Sequence, residues 1–217
     1  MLKRLAVEFF GTYLLVIAAT GVIISQSVPF IGIAASPAVA VMIMILVFGH
    51  FSDVHLNPAV SLSFFALKKI SLQTFVAYVG WQLAGAALGA FTLKEIFTQR
   101  IAAQVKNGVP AMSAQATYFT GFALELVMTA ILVLVILLMT QDKANKNSAS
   151  APLAIALTIF ILILITGPIE GTGINPARWF GPALVGGNWD NWTIYTIAPM
   201  LGGLIGAYTY RALAVHK

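Results

Sequence analysis

No cysteine occurs anywhere in the chain, which excludes disulfides, thiolate nucleophiles and cysteine metal sites and leaves the redox compartment open. Charge is nearly as scarce. Only 9% of the 217 residues are Asp, Glu, Lys or Arg, against about 25% in soluble domains, so a surface facing water on all sides is excluded. Apolar residues fill the space: they make up 59% of the chain, and mean hydropathy is +0.92. The net charge of +5 sits between apolar runs, as membrane topology requires, and is no nucleic-acid footprint. Met1-Leu2-Lys3-Arg4 ahead of an apolar run has the outline of a signal peptide. Glu8 interrupts that run, however, and the run continues to Ile24, long enough to span. It reads as a retained first helix.

A bilayer core about 30 Å thick calls for roughly 20 apolar residues in a helix. Six stretches meet or approach that length: 5–25, 34–50, 71–93, 117–140, 152–168 and 192–214. Two shorter apolar pieces, 58–67 and 176–186, reach only about halfway across at 1.5 Å per residue. Each opens with Asn-Pro-Ala, as Asn57-Pro58-Ala59 and Asn175-Pro176-Ala177. The expected fold class is all-α: a polytopic membrane protein with six transmembrane helices plus two re-entrant half-helices. Residues 94–116 form the longest connection and 141–150 a short polar linker. With both termini on the inner side, that side collects Lys3, Arg4, Lys68, Lys69, Lys143, Lys146, Arg211 and Lys217. The outer side holds Lys94, Arg100 and Lys106. The positive-inside rule therefore puts both ends in the cytoplasm.

The chain repeats itself. AVEFFGTYLLV (6–16) and ALELVMTAILV (123–133) each place Thr four residues after Glu. Glu8 precedes Asn57 by 49 residues and Glu125 precedes Asn175 by 50; Gly85 and Gly89 follow Asn57 much as Gly202 and Gly206 follow Asn175. The expectation is one channel domain over 1–217, made of two three-helix copies at about 1–107 and 108–217. An odd number of spans per copy inserts them in opposite orientations, a transporter and channel signature.

Asparagine is a favoured N-cap and proline suits the first helical turn, so each Asn-Pro-Ala is a helix start. Non-helical backbone at membrane depth is tolerated where protein buries it or water reaches it. Two opposed half-helices meeting tip to tip satisfy that condition. Their N-termini would each bring roughly half a positive charge to one spot, and the Asn57 and Asn175 amides can donate to a passing oxygen. Such a site favours neutral oxygen-bearing molecules and opposes cations. Extended segments at 50–56 and 168–174 can line the path with carbonyls, and the glycines of GTGIN suit unusual backbone. Arg178, within a membrane segment, is a functional candidate in its own right.

EFFGT (8–12), HLNPAV (55–60), YVGWQLAG (78–85), APLAI (151–155) and GINPARWFGPAL (173–184) together resemble the aquaporin, or major intrinsic protein, family across essentially the whole chain. The resemblance implies a homotetramer in the cell membrane with one pore per subunit, no cofactor and no catalysis. It places Arg178 at the selectivity constriction with Ile163, where many strict water channels have histidine, with Thr172, and with Pro37, whose neighbours Ser36 and Ala38 compete for that alignment. It makes Glu8 and Glu125 acceptors for the re-entrant backbone and puts His55 near the cytoplasmic part of the pore. Pro58, Ala59, Pro176 and Ala177 complete the motifs. Trp179 departs from the aspartate typical of glycerol facilitators, Ala183 fits the water type, and Asp53 replaces a common glycine. Water is thus the expected cargo, with glycerol or another small neutral solute as the alternative. An ion-coupled transporter using Glu8 and Glu125 is the rival class. An intramembrane enzyme built on Ser52, Asp53 and His55 is disfavoured, because three residues within four positions of one loop make a poor triad.

Overall fold

The computed structural model describes residues 1–142, 145 and 148–214; Lys143, Lys146 and Lys217, counted above as inner-side cations, lie outside the described residues. Regular structure among the described residues is entirely helical. The first half runs α1 (Leu2–Ser25), α2 (Phe30–Phe48), α3 (Pro58–Ala66) and α4 (Leu72–Ile96), and the connection beyond it carries the short α5 (Gln99–Gln104) and a 3-10 turn at Lys106–Gly108. The second half runs α6 (Tyr118–Thr140), α7 (Ala151–Glu170), α8 (Pro176–Gly186) and α9 (Trp192–Ala214). The half-helices α3 and α8 have 9 and 11 residues, about 14 and 17 Å.

Five helices, α1, α2, α4, α6 and α7, are long and apolar enough to cross a membrane. The sixth expected span, α9, has 23 residues and about 35 Å of length, but its composition falls short. The reason is packing. Gly202, Gly203, Gly206 and Tyr195 are all buried, and they let α9 press closely on α6 and α3.

The same close approaches occur in both halves. A Cβ on Gly85 would strike the Phe9 carbonyl, and one on Gly202 the Leu126 carbonyl; Phe9 and Leu126 directly follow Glu8 and Glu125. Gly89 sits against Tyr13 and Val16, and Gly206 against Ala130 and Val133, again at matching offsets. The half-helices cross over. Gly203 of α9 meets Ala59 and Ser63 of α3, while Gly181 of α8 meets Ala86 of α4. Each half-helix is therefore clamped by the last helix of the other half. Outward faces carry large exposed apolar side chains such as Phe10, Leu46, Val76, Phe119, Leu153 and Ile165, the inverse of a water-facing surface.

Candidate pore and its constriction

Both asparagines cap their helices with the side-chain oxygen. Asn57 Oδ1 accepts from Ala59 N at 2.9 Å, and Asn175 Oδ1 accepts from Ala177 N at 3.0 Å and Arg178 N at 3.4 Å. Pro58 and Pro176 fill the first helical position, where a missing N–H costs nothing. The amide nitrogens cross-link the two loops. Asn57 Nδ2 donates to the Ile174 carbonyl and Asn175 Nδ2 to the Leu56 carbonyl, both at 2.8 Å. Each NH2 therefore spends one hydrogen on the opposite loop and has one left for another acceptor.

The backbone leading into each cap is strained in the same way. Val54, Leu56, Thr172 and Ile174 have φ of 51°, 52°, 46° and 43°. They stand three and one residues before each asparagine. β-Branched and bulky residues rarely adopt this region, and each such residue costs of order 1–3 kcal/mol. Sequence reasoning assigned the unusual backbone to the glycines of GTGIN, which holds for Gly171 at φ 82° but not for Gly173. Gly173 is needed for space: a Cβ there would lie 2.9 Å from the Tyr195 ring and 3.0 Å from Glu125.

Two buried carboxylates hold this backbone. Glu8 accepts from His55 N at 2.8 Å, Leu56 N at 2.7 Å and Gln82 Nε2 at 2.7 Å. Glu125 accepts from Gly173 N and, at 2.6 Å, from Ile174 N. Gln82 was not singled out from the sequence, although an amide in an apolar helix is the kind of residue that marks an internal polar contact. It also donates to Ser61 Oγ at 2.9 Å, and Ser61 in turn pairs with His55 Nδ1 at 3.1 Å. Ser52 lies against Val54 N at 3.4 Å and beside the Tyr78 hydroxyl. His55 thus engages Ser61 rather than Ser52, and no triad assembles.

Glu170 also escaped sequence reasoning. It ends α7 and is fully buried, with Glu125, Thr166 and Thr172 around its carboxyl group. Two acceptor groups meet there. Glu170→Gln is accordingly expected to leave the detergent melting temperature unchanged or higher, because an amide supplies the donor that Glu125 lacks on that side. A fall of about 10 °C would show that the carboxylate itself is required.

A cavity of about 330 Å³ runs past both caps. Asn57, Asn175, Arg178, Thr172, Ile163, Pro37 and His55 all line it, from opposite walls, while Glu8 and Glu125 do not. One wall is apolar, with Leu132, Ile136, Ile155, Ile159 and Ile163; the other presents backbone at 53–56 and 171–174. Pro37 borders the cavity, whereas Ser36 turns its hydroxyl to the Ala18 carbonyl at 2.9 Å and Ala38 joins the packed core. Having no N–H, Pro37 also frees the Ile33 carbonyl one turn away from its helical bond. Arg178 is buried and its Nη1 has no protein partner, leaving a charged donor for whatever occupies the cavity. His55 Nε2 is likewise unpartnered, its ring held between Phe64 and Tyr78. Asp53 is exposed and borders the cavity. Trp179 points away from the cavity and is buried against Trp189 and Tyr195.

Residues 1–210 match the sequence model of the family described as Major intrinsic protein. The chain is 36% identical to aquaporin NIP6-1 of Arabidopsis thaliana, covering 99% of this chain and 70% of that protein. It is 34% identical to aquaporin NIP1-1 of Oryza sativa subsp. japonica, over 98% and 74%. Its fold superposes on the X-ray structure of the aquaglyceroporin from Plasmodium falciparum with a TM-score of 0.88 at 23% identity, covering 100% of this chain and 99% of that one.

Proposed function

The chain belongs to the major intrinsic protein family, and from that premise we propose that it is a passive channel for water and small neutral solutes that excludes ions and protons. One observation carries the reading. Two half-helices, capped by Asn57 and Asn175 and tied to each other's loops at 2.8 Å, aim their N-termini at the middle of one cavity. A neutral hydroxylated molecule passing there meets amide donors, the Arg178 guanidinium and backbone acceptors. A cation meets two helix N-termini and a buried arginine in a low-dielectric wall. Asn57 and Asn175 act as pore donors, and Arg178, Ile163, Thr172 and Pro37 form the constriction. With Ile163 and Pro37 the constriction offers few side-chain donors, which supports passage of glycerol-sized solutes beside water. The repeated packing contacts in the two halves support an inverted repeat.

The coupled-transport alternative needs Glu8 or Glu125 to load and release protons at the cavity. Both are instead committed to backbone N–H groups and stand behind the cavity wall, which favours a bracing role. Five described cations, Lys3, Arg4, Lys68, Lys69 and Arg211, flank the end that carries the termini, and three, Lys94, Arg100 and Lys106, flank the other. That bias supports cytoplasmic termini, and the chain is taken to insert in the plasma membrane. The chain works as a homotetramer, needs no cofactor and performs no catalysis. In proteoliposomes under an osmotic step, light scattering is expected to report water flux well above empty vesicles, with or without a proton or sodium gradient. Glycerol is measured alongside. Flux that appears only with an ion gradient would favour the transporter.

A further inference from the structure

We propose that Phe30, seated on Gly167, is a further specificity-determining residue that sets the width of the outer entrance ahead of the four-residue constriction; this inference rests on the channel reading above. Phe30 is the first residue of α2, and the turn before it is stiff. Pro29 is the N-cap at φ −65°, its carbonyl accepts from Gly32 N at 2.8 Å, and the Val28 side chain folds over Gly32. This fixes where the Phe30 ring leaves the helix. The ring rests on α7 at Gly167, where an added Cβ would fall 2.6 Å from Cζ and 3.1 Å from Cε2. Only a residue without a side chain leaves that seat open.

Phe30 and Gly167 both border the cavity. Gly167 lies one helical turn outward from Ile163, and Phe30 two turns outward from Pro37, so the pair forms a second narrowing above the first. Phe30 is 38% exposed, with α7 behind its ring and the cavity beside it. It offers no hydrogen bond, so it selects by width and by how readily a solute sheds water. The class admitted is compact neutral polyols; longer ones meet the ring before they reach Arg178.

The test uses full-length wild type, Phe30→Ala, Phe30→Leu, Gly167→Ala and the double variant F30A/G167A in proteoliposomes, with water, glycerol and erythritol as probes. Phe30→Ala is expected to raise the erythritol-to-water permeability ratio about tenfold, the scale of a changed apolar contact in a recognition pocket, with water flux retained as proof of folding. Phe30→Leu is expected to fall between. Gly167→Ala, which drives the ring off its seat toward the lumen, is expected to lower the glycerol-to-water ratio, and this loss should vanish in the double variant. If wild type excludes glycerol altogether, Phe30→Ala must admit it. Unchanged ratios in Phe30→Ala, or a Gly167→Ala effect that persists without Phe30, overturn the proposal. Wild-type vesicles no more water-permeable than empty ones would instead sink the channel reading itself.

Discussion

Replacing Arg178 with valine is expected to raise proton and cation leakage about a hundredfold while water permeability stays within about twofold. The figure follows from Coulomb's law: a unit charge about 6 Å away at an effective dielectric constant of about 20 contributes roughly 3 kcal/mol to a cation's barrier, or about two decades in rate. The geometry supports full strength. Arg178 is buried, borders the cavity, and leaves Nη1 without a protein partner, so its charge is directed at the path instead of being cancelled by a contacting carboxylate. Glu125 and Glu170 lie near enough to feel it, but from behind the loop at 171–174. Water crosses without net charge and is only weakly affected. Dye-reported proton flux under an imposed pH gradient checks this, with light scattering for water on the same vesicles. Leakage equal to wild type would remove Arg178 from the barrier.

Glu8→Ala is expected to abolish the assembled protein, and Glu125→Ala to do nearly the same. Removing the Glu8 carboxylate strands three buried donors, His55 N, Leu56 N and Gln82 Nε2. At about 1–3 kcal/mol per orphaned group the penalty is roughly 3–9 kcal/mol, against a typical total stability of 5–15 kcal/mol. The released loop also has strain to discharge, since Val54 and Leu56 sit at positive φ. Glu125 holds two backbone donors against Thr172 and Ile174 in the same state, so its loss is somewhat smaller. Glu8→Gln keeps the shape and one acceptor oxygen and should recover part of the yield. Monodisperse yield in detergent and the melting temperature are the measurements. A Glu8→Ala protein that melts within a few degrees of wild type would refute the brace.

The polar network shows what a sequence leaves out. Asn57 and Asn175 were legible as caps because an N-cap is a local event, decided within three residues. That one amide hydrogen of each ties its loop to the other was not, because Asn57 and Ile174 stand 117 residues apart. Gln82 and Glu170 went unread for a related reason: a buried polar residue is informative only through its partners, and Glu8 and Ser61 for Gln82, like Glu125 for Glu170, lie on other helices. The left-handed backbone at Val54, Leu56, Thr172 and Ile174 contradicts local propensity outright. It survives because two distant carboxylates fix the adjacent N–H groups.

By itself the sequence determined the solvent and the approximate limits of the long helices and of the two half-length segments, and it raised the expectation of a twofold internal repeat. These follow from hydropathy, length and capping, all properties of contiguous residues. The short α5 within the connection at 94–116 was not legible in the sequence. Only the tertiary structure decided that Pro37 rather than Ser36 or Ala38 borders the cavity, that α9 gives up apolar character for close packing, and that Phe30 rests on Gly167. Each depends on which face of one helix meets another, and that is settled when helices pack against one another, not along any one of them.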